Sequence, residues 1–281
     1  MCKVSVLMPV YNVKEEYLRA SIESILNQSF TNFEFIILDD NSTKSIENII
    51  NSYNDKRIKF YKNSSNLGIA ESRNKLMDLA RGEYAALMDN DDIADKNRLL
   101  KQVEFLDNHP SVSILGSAYE TLTDKNIIRH PDSVNYFDLI KGCVIAHPSV
   151  MFRLNDLRKH NLRYNSKFIC SQDYELWSRA IRFLKIANLP DVLLKYRIFE
   201  ESITQKKAKL AFEEDQIIKQ NMLDFLTNDK SIQNSIKLMF FDSTNIRENT
   251  LLENIFSIRN IKSQKVITIL GIKIKIKRRK K

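Results

Sequence analysis

Tyr84-Ala-Ala-Leu-Met-Asp-Asn-Asp-Asp92 is an apolar run that ends in three carboxylates within four positions. The apolar part predicts a buried strand. Carboxylates this crowded repel one another unless a cation or a sugar hydroxyl lies between them. A shorter version, Phe33-Glu-Phe-Ile-Ile-Leu-Asp-Asp40, occurs upstream. Because open α/β sheets hold ligands at the carboxyl ends of their strands, the two stretches predict a nucleotide-and-metal site.

The first hundred residues alternate between strand and helix patterns. The predicted strands are 4–10, 33–38, 57–61 and 84–88, and the predicted helices are 15–27, Ser42 to about Tyr53, and 69–80. Ser42 is the predicted N-cap of the second helix. This alternation predicts an α/β fold with a doubly wound, mostly parallel central sheet and helices on both faces.

After residue 95 the alternation becomes less regular, and helices dominate beyond Gln205. The later predicted elements are a helix at 97–107, strands at 113–122, 147–152 and 192–199, and a helix at 173–183. We predict one α/β domain over 1–204, with a nucleotide-binding half (1–95) and an acceptor half (96–204). A helical C-terminal extension (205–260) and a basic tail of alternating apolar residues (261–281) follow.

Composition restricts the class of protein. The 281 residues are 43% apolar, enough for a full core, and only five are glycine, which argues against a glycine-rich phosphate loop. Cys2, Cys143 and Cys170 form no Cys-x-x-Cys pair and fit a reducing compartment. The first predicted strand begins at Val4, which leaves no room for a signal peptide, and no apolar run approaches the ~20 residues that span a bilayer. We therefore expect a cytoplasmic protein.

The positive charge is concentrated at the C-terminus. Residues 259–281 contain ten Lys or Arg and no acid, one more than the net charge of +9, which leaves residues 1–258 at −1. A nearly neutral body argues against a nucleic-acid partner. For residues 271–281 two interpretations stay open: a lysine-protected edge strand, or a segment attracted to anionic lipid at the inner face of the cytoplasmic membrane.

Six ordered motifs carry a resemblance to a known family. They are Ser5-Val-Leu-Met-Pro-Val-Tyr-Asn12, Leu38-Asp-Asp-Asn-Ser-Thr43, Asn66-Leu-Gly…Ser72-Arg-Asn74, Gly82-Glu-Tyr84, Met88-Asp-Asn-Asp-Asp92 and Gln172-Asp-Tyr-Glu-Leu-Trp177. Over about residues 1–204 the chain resembles the family 2 glycosyltransferases, inverting nucleotide-sugar enzymes with the GT-A fold. Residues 265–277 also resemble the ending of many bacterial surface-polysaccharide members.

The resemblance implies a set of donor nucleotide contacts: Pro9, Val10, Tyr11, Asp40, Arg73, Asp89 and Asn90. Asp40 would accept a hydrogen bond from uracil N3–H, since an ionised carboxylate only accepts. Backbone groups of the first three would line the base and ribose. Two alternatives stay open. In the first, Asp39, Asn41 and Ser42 only cap the next helix; in the second, Arg73 is a surface residue paired with Glu71 or Glu83.

The resemblance also implies a metal site and a general base. Asp91, supported by Asp89, would hold Mn²⁺ or Mg²⁺ against the diphosphate. Asp173 would take the proton of the acceptor hydroxyl. The alternatives are an acidic loop that caps the following helix, with Asp92 as the structural residue, and an Asp173 that only caps its own helix.

The chain departs from the family pattern at two positions. Gln172 replaces the usual acid before Asp173, which removes a like charge and should lower the tendency of Asp173 to protonate. Phe199 replaces a histidine that commonly lies near the diphosphate. His147 could lie near the acceptor or be structural, and Trp177 is predicted to belong to the core.

These inferences give two functional hypotheses. The first is an inverting hexosyl- or N-acetylhexosaminyltransferase that moves a sugar from a UDP-sugar to a bacterial surface glycan such as lipopolysaccharide or capsule. Its predicted partners are the nucleotide-sugar and a glycan or lipid-linked glycan acceptor. The second is a catalytically inactive GT-A module that keeps nucleotide or glycan affinity; Gln172 and Phe199 favour it.

Overall fold

The computed structural model describes residues 2–198, 207–241, 256–261, 264–269 and 272–277. Contacts divide the chain into two compact units, Met1–Asn228 and Asp229–Lys281. The predicted domain limits at 204 and 260 remain predictions. Phe199 and the last four residues, 278–281, lie outside the described residues, so what the sequence predicts for them stays a prediction.

The first part of unit one forms the predicted strand–helix alternation. Its elements are β1 (Val4–Val10), α1 (Glu15–Leu26), β2 (Phe33–Asp39), α2 (Glu47–Asn51), β3 (Ile58–Lys62), α3 (Ile69–Leu79) and β4 (Tyr84–Leu87). Strands β3, β2, β1 and β4 are neighbours in that order and are all parallel. All seven residues of β1 are buried, as expected for a central strand covered on both faces.

Helices cover both faces of these strands. The even-numbered residues of β1 pack in one core with apolar residues of α1 and α2 and with Leu99 and Val103, whereas Leu7 and Leu76 of α3 line a small space on the opposite face. Alternate residues of a strand point to opposite faces, so one strand supplies both cores. The α/β fold class is confirmed.

The predicted start of α2 is wrong. The helix begins at Glu47, with Ile46 as its N-cap residue, and not at Ser42. Ser42 instead joins two strand ends: its hydroxyl accepts from the Asn12 amide at 3.0 Å, and its own amide donates to Asp39 Oδ1 at 2.9 Å. A serine next to a turn can bond the loop backbone as well as a helix, and here the loop takes it.

The second part of unit one extends the sheet with mixed pairing. Its elements are β5 (Ile93–Ala94), α4 (Arg98–Asn108), β6 (Val112–Thr121), β7 (Ile127–Ile128), β8 (Ser133–Val134), α5 (Tyr136–Lys141), β9 (Met151–Arg153), α6 (Leu154–Lys159), α7 (Gln172–Ala180), β10 (Lys185–Tyr196) and α8 (Ala208–Leu226). The sheet continues from β4 through β9, β6 and β10 to β5, with β7 on β6 and β8 on β10. β6 and β10 are parallel, and the other pairs here are antiparallel.

One predicted strand is only half correct. Residues His147–Ser149 form a turn of 3₁₀ helix, with Pro148 at its start, and the strand β9 begins at Met151. Proline lacks the amide hydrogen that an interior strand position needs, which explains the shift.

Unit two contains α9 (Lys230–Phe241) and a three-stranded antiparallel sheet. Its strands are β11 (Phe256–Ile261), β12 (Gln264–Ile269) and β13 (Ile272–Lys277), in that order. β13 is therefore an edge strand within this described sheet, in agreement with one interpretation of the tail. No helix in the described parts of the chain is both long and apolar enough to cross a membrane.

Strand order sets the place of the site. β1 lies between β2 and β4, so the chain leaves β1 in one direction for β2 and later returns to its other side. Ligands of open α/β sheets bind where the strand order reverses in this way, at the carboxyl ends of the strands. The acidic segments after β2 and β4 both lie at that edge.

Candidate active site

The acidic loop after β4 is held by contacts from several elements. Asn90 Nδ2 donates to the Pro9 carbonyl at 2.9 Å, which joins this loop to the end of β1. The Arg197 amide donates to Asp92 Oδ1 at 2.8 Å, and Arg197 Nε donates to the Asp91 carbonyl at 2.9 Å. The backbone is therefore fixed while the side chains of Asp89 and Asp91 remain partly exposed.

Electrostatics within this loop favour a bound cation. Burial, together with repulsion from the nearby Asp89 carboxylate, raises the pKa of Asp91 to about 6. Burial also raises the pKa of Asp92, again with repulsion from its acidic neighbours. Asp92 Oδ2 is buried and has no hydrogen-bond partner within the described part of the chain. Behind the loop, burial lowers the pKa of the Arg98 guanidinium to about 10.

Arg73 is buried and joins the two halves of the site. Its Nη2 donates to Asp89 Oδ1 at 3.1 Å. With the Gln172 amide oriented to satisfy both of its ends, Gln172 accepts from Arg73 Nη1 at 2.8 Å and donates to the Ile169 carbonyl at 3.0 Å. The guanidinium also lies over the Tyr164 ring, 5.6 Å from its centroid. The alternative of a surface Arg73 paired with Glu71 or Glu83 is wrong.

Asp40 is buried at the end of β2 and already accepts several hydrogen bonds. Its Oδ1 accepts from Asn63 Nδ2 at 2.7 Å and from the Leu67 amide at 2.9 Å, and its Oδ2 accepts from the Gly68 amide at 2.9 Å. A carboxylate offers about four acceptor positions, so one position on Oδ2 is left. The alternative in which residues around Asp40 cap the next helix is not supported. The donors to Asp40 belong to the segment before α3, and Ser42 bonds Asp39 instead of an amide of α2.

The other predicted nucleotide contacts lie at the end of β1. The carbonyls of Pro9 and Val10 accept from Asn90 Nδ2 and from the Asp40 amide, at 2.9 and 2.8 Å. Each carbonyl has a second lone pair for a ligand. Tyr11 follows the strand and is 49% exposed, so its ring is available to a base or ribose.

Asp173 lies in the first turn of α7 and is half-buried. Burial raises its pKa; Arg73 lowers it in part, and the charge of Asp89 raises it again. Gln172 brings no negative charge, as expected, yet the net effect of the surroundings is upward because burial dominates. Among the described residues its carboxylate forms no ion pair and accepts no hydrogen bond from another side chain. A half-buried carboxylate with a raised pKa fits a general base.

His147 and Trp177 are both buried, and the two roles predicted for His147, near the acceptor or structural, both stay predictions. His147 is buried, with Nε2 2.9 Å from the Tyr164 hydroxyl, and burial lowers its pKa well below the usual value, so it is neutral. Trp177 is fully buried and its ring lies 6.3 Å from that of His147. Trp177 therefore belongs to the core, as predicted.

Several residues that the sequence did not single out support the site. Asn63 bonds Asp40 and accepts from Lys75 Nζ at 2.6 Å, which brings a cation beside the nucleotide edge. Arg197 stacks over the Tyr17 ring at 4.1 Å next to the acidic loop. Glu214 of α8 bonds the loop before Asp173. Each contact joins distant parts of the chain, and no local pattern indicates it.

The residues present fit a divalent cation whose remaining ligands come from a substrate. Among the described residues no three His, Cys, Asp or Glu side chains converge into a complete ligand set. Asp91 and Asp89 supply two mutually repelling carboxylates. Mg²⁺-type sites often use one or two carboxylates together with phosphate oxygens and water, so this pair is sufficient when a diphosphate is bound.

Comparisons with known proteins agree with this geometry. The family described as "Glycosyl transferase family 2" matches residues 5–181. An uncharacterized glycosyltransferase of Methanocaldococcus jannaschii, MJ1057, is 42% identical over 69% of this chain and 70% of its own. The Escherichia coli protein named UDP-Glc:alpha-D-GlcNAc-diphosphoundecaprenol beta-1,3-glucosyltransferase WfgD is 30% identical over 73% and 81%.

Solved structures share the fold. Staphylococcus aureus TarS 1–349 in complex with UDP matches 90% of this chain and 78% of its own, with a TM-score of 0.67 at 19% identity. The chain spans 44% of the longer TarS chain. Pyrobaculum calidifontis mannosyltransferase PcManGT, in complex with GDP-Man and Mn²⁺, matches 90% and 79%, with a TM-score of 0.58 at 15% identity.

Proposed function

Since this chain belongs to glycosyl transferase family 2 and is a glycosyltransferase, we propose that it transfers a sugar from a UDP-sugar to a glycan hydroxyl with inversion at the anomeric carbon. The observation that carries the proposal is the line of contacts from Asp89 through Arg73 to Gln172, the residue before Asp173. It links the donor edge of the sheet to a carboxylate that can act as base.

In the proposed reaction, Asp173 accepts the proton of the acceptor hydroxyl. The oxygen of that hydroxyl then forms a bond to the anomeric carbon while the bond to the nucleoside diphosphate breaks. A single displacement of this kind inverts the configuration and requires one general base. Arg73 has both Nη groups engaged, by Asp89 and Gln172, and so orients the two halves of the site.

A bound Mn²⁺ or Mg²⁺, held by Asp91 and Asp89, would neutralise charge that grows on the departing diphosphate. Arg197 contributes a second cation at the same loop, because its Nε is fixed on the Asp91 carbonyl. We propose that its guanidinium supports the leaving group, a role for which the family pattern commonly supplies histidine at the position of Phe199.

We propose that Asp40 selects the base of the nucleotide-sugar donor. Its remaining acceptor position on Oδ2 suits one N–H donor, such as uracil N3–H. The Pro9 and Val10 carbonyls and the Tyr11 ring complete the proposed base and ribose contacts. Thymine presents the same N3–H, so this contact would distinguish uracil and thymine from cytosine, which has no N3–H.

For the acceptor we propose a lipid-linked bacterial surface glycan, and a cytoplasmic protein that binds the inner membrane face. The name of WfgD includes a diphosphoundecaprenol-linked acceptor, which supports this class. Residues 271–281 provide seven Lys or Arg, each worth about 1 kcal/mol near an anionic surface. The lysines of this tail can also be explained without a membrane, because lysines on an edge strand protect it against aggregation. Membrane binding by the tail is therefore tested separately.

A donor panel tests the proposal. Purified chain is incubated with UDP-, dTDP- and GDP-sugars and Mn²⁺, and release of nucleoside diphosphate is measured with and without lipid-linked acceptors, beside Asp173→Asn. We expect release from a UDP-sugar that increases with acceptor and is lost in Asp173→Asn. Wild-type chain that binds UDP but transfers to no acceptor would instead favour the inactive-module hypothesis.

A further inference from the structure

The loop before Asp173 is held by a side chain from the C-terminal helix α8. Glu214 is only 4% exposed. Its Oε1 accepts from the Ile169 amide at 2.6 Å, and its Oε2 accepts from the amides of Cys170 and Ser171 at 2.9 and 2.8 Å. Three successive backbone amides therefore converge on one buried carboxylate, more than 40 residues away in sequence.

This carboxylate takes the place of a local helix cap. Ser171 is the N-cap residue of α7, but its side chain makes no capping bond. An anion at a helix N-terminus is stabilised by the unpaired amides and by the helix dipole. Glu214 satisfies the amide of the N-cap residue and the two amides before it, so the start of α7 is fixed by α8.

The position of Asp173 depends on this same segment. Asp173 lies two residues after Ser171, in the first turn of α7. The Ile169 carbonyl accepts from the Gln172 amide group, whose oxygen accepts from Arg73. Glu214 therefore holds one side of the segment 169–173, and Arg73 holds the other.

The remaining contacts of α8 make it a rigid support. Ile218, Met222 and Leu223 are buried. The Tyr136 hydroxyl of α5 donates to the Met222 carbonyl at 3.0 Å, and Arg182 lies over the Phe225 ring at 4.3 Å. An anchor on a packed helix fixes a loop more firmly than one on another loop.

We propose that Glu214 is a positioning residue for Asp173, and that α8 is therefore part of the catalytic unit; this rests on the transferase function proposed above. Glu214 does not touch substrate. It acts by fixing the amides of Ile169, Cys170 and Ser171, which sets where the Asp173 carboxylate meets the acceptor hydroxyl.

Glu214→Gln tests the proposal in the full-length chain. Glutamine keeps the size, but its NH₂ group cannot accept the amides that one carboxylate oxygen now accepts. Glu213→Gln is the matched control, since Glu213 is adjacent, loses the same charge, has a 54% exposed side chain and only approaches Lys209 at 3.9 Å. Glu214→Asp, which keeps the charge with a shorter reach, is the second variant if Glu214→Gln does not fold.

Three readouts separate positioning from a general loss of structure. Hydrogen exchange should accelerate at least tenfold in the peptide covering 168–173 of Glu214→Gln, but not in β1 or β2. The kcat should fall at least ~10-fold, because a misplacement of about 1 Å can cost 100-fold, while the Kd for UDP stays within twofold. Glu213→Gln should match the wild type in all three measurements.

Two results for Glu214→Gln would overturn the proposal if the wild type is active. One is hydrogen exchange at 168–173 that equals that of the wild type, and the other is faster exchange there with an unchanged kcat. A kcat loss accompanied by an equal loss of UDP affinity would also overturn it, since that indicates general destabilisation. A wild type that transfers no sugar with any donor would overturn the transferase function itself, and the positioning role with it, so the two failures are distinguishable.

Discussion

Replacing Asp173 with asparagine should separate catalysis from stability. The substitution keeps the size of the side chain and removes only its ability to take a proton. Asp173 forms no ion pair among the described residues, so no salt bridge is lost. General-base catalysis typically contributes 10²–10⁴-fold; we therefore expect kcat to fall at least ~10²-fold. The affinity for UDP should change little, because the proposed base and ribose contacts lie at the ends of β1 and β2 and not on α7.

Asp173→Asn should change stability in the opposite direction from activity: kcat falls, but the fold does not lose stability. Burial raises the pKa of Asp173 in the folded chain, so the folded state holds that proton more tightly than the unfolded state does. The carboxyl group therefore contributes stability below its unfolded pKa of about 3.9, and this contribution is lost as the pH rises through the folded pKa. At pH 7 the half-buried charge costs stability, so Asp173→Asn should melt at the same temperature as the wild type or higher.

The pH dependence of activity follows from the same pKa. Wild-type kcat should decline as the pH falls through the raised pKa of Asp173, because the protonated carboxyl cannot act as base. The measurements are nucleoside diphosphate release from pH 5 to 9, calorimetry with UDP, and thermal melting. Asp191→Asn is the control, since Asp191 is exposed and pairs with Lys101. If Asp173→Asn turns over like the wild type, or loses UDP binding in parallel with kcat, the base assignment is wrong.

Three further predictions concern the proposed metal ligand Asp91, the buried Arg73 and the basic tail. Asp91→Asn should abolish the stimulation of UDP binding by Mn²⁺; calorimetry that finds UDP bound equally well to the wild type with EDTA would contradict the metal assignment. Arg73→Met should destabilise the fold by roughly 1.5–3 kcal/mol in urea unfolding, because hydrogen bonds to charged groups are worth that much, and should lower kcat as well; unchanged stability would contradict the bridging role. Deleting residues 271–281 should release the protein from anionic liposomes without changing UDP affinity, and sedimentation that survives the deletion leaves only the edge-strand explanation.

The strand ends were predictable because the signals for them are local. The run Tyr84–Met88 followed by Asp89 predicts both a buried strand and the acidic loop that follows it, and β4 and its loop lie as predicted. The N-terminal half follows the same rule, since hydrophobic periodicity is the main sequence signal for strands and helices.

The contacts between distant segments were not predictable. The sequence allows Arg73 either a nucleotide contact or a surface pair with Glu71 or Glu83; only the packing of α3 against the sheet brings it to Asp89. Glu214 lies in the predicted helical segment beyond Gln205, but that pattern does not indicate that its buried carboxylate accepts from three amides before Asp173. The start of α2 was missed for a related reason: Ser42 bonds the Asn12 amide across the sheet edge instead of capping a helix.

These contacts explain how one short loop can serve two halves of a site. Asp89 pairs with the Arg73 guanidinium and, in the proposed site, would also help to hold a metal ion, so both cations would reduce the electrostatic cost of its charge. Among the described residues, the other hydrogen-bond acceptor of Arg73 is the neutral Gln172 oxygen. Arg73 therefore couples the charge of Asp89 at one strand end to that of Asp173 on α7. Its positive potential favours the ionised Asp173 carboxylate, which is the form that the proposed base needs in order to accept a proton.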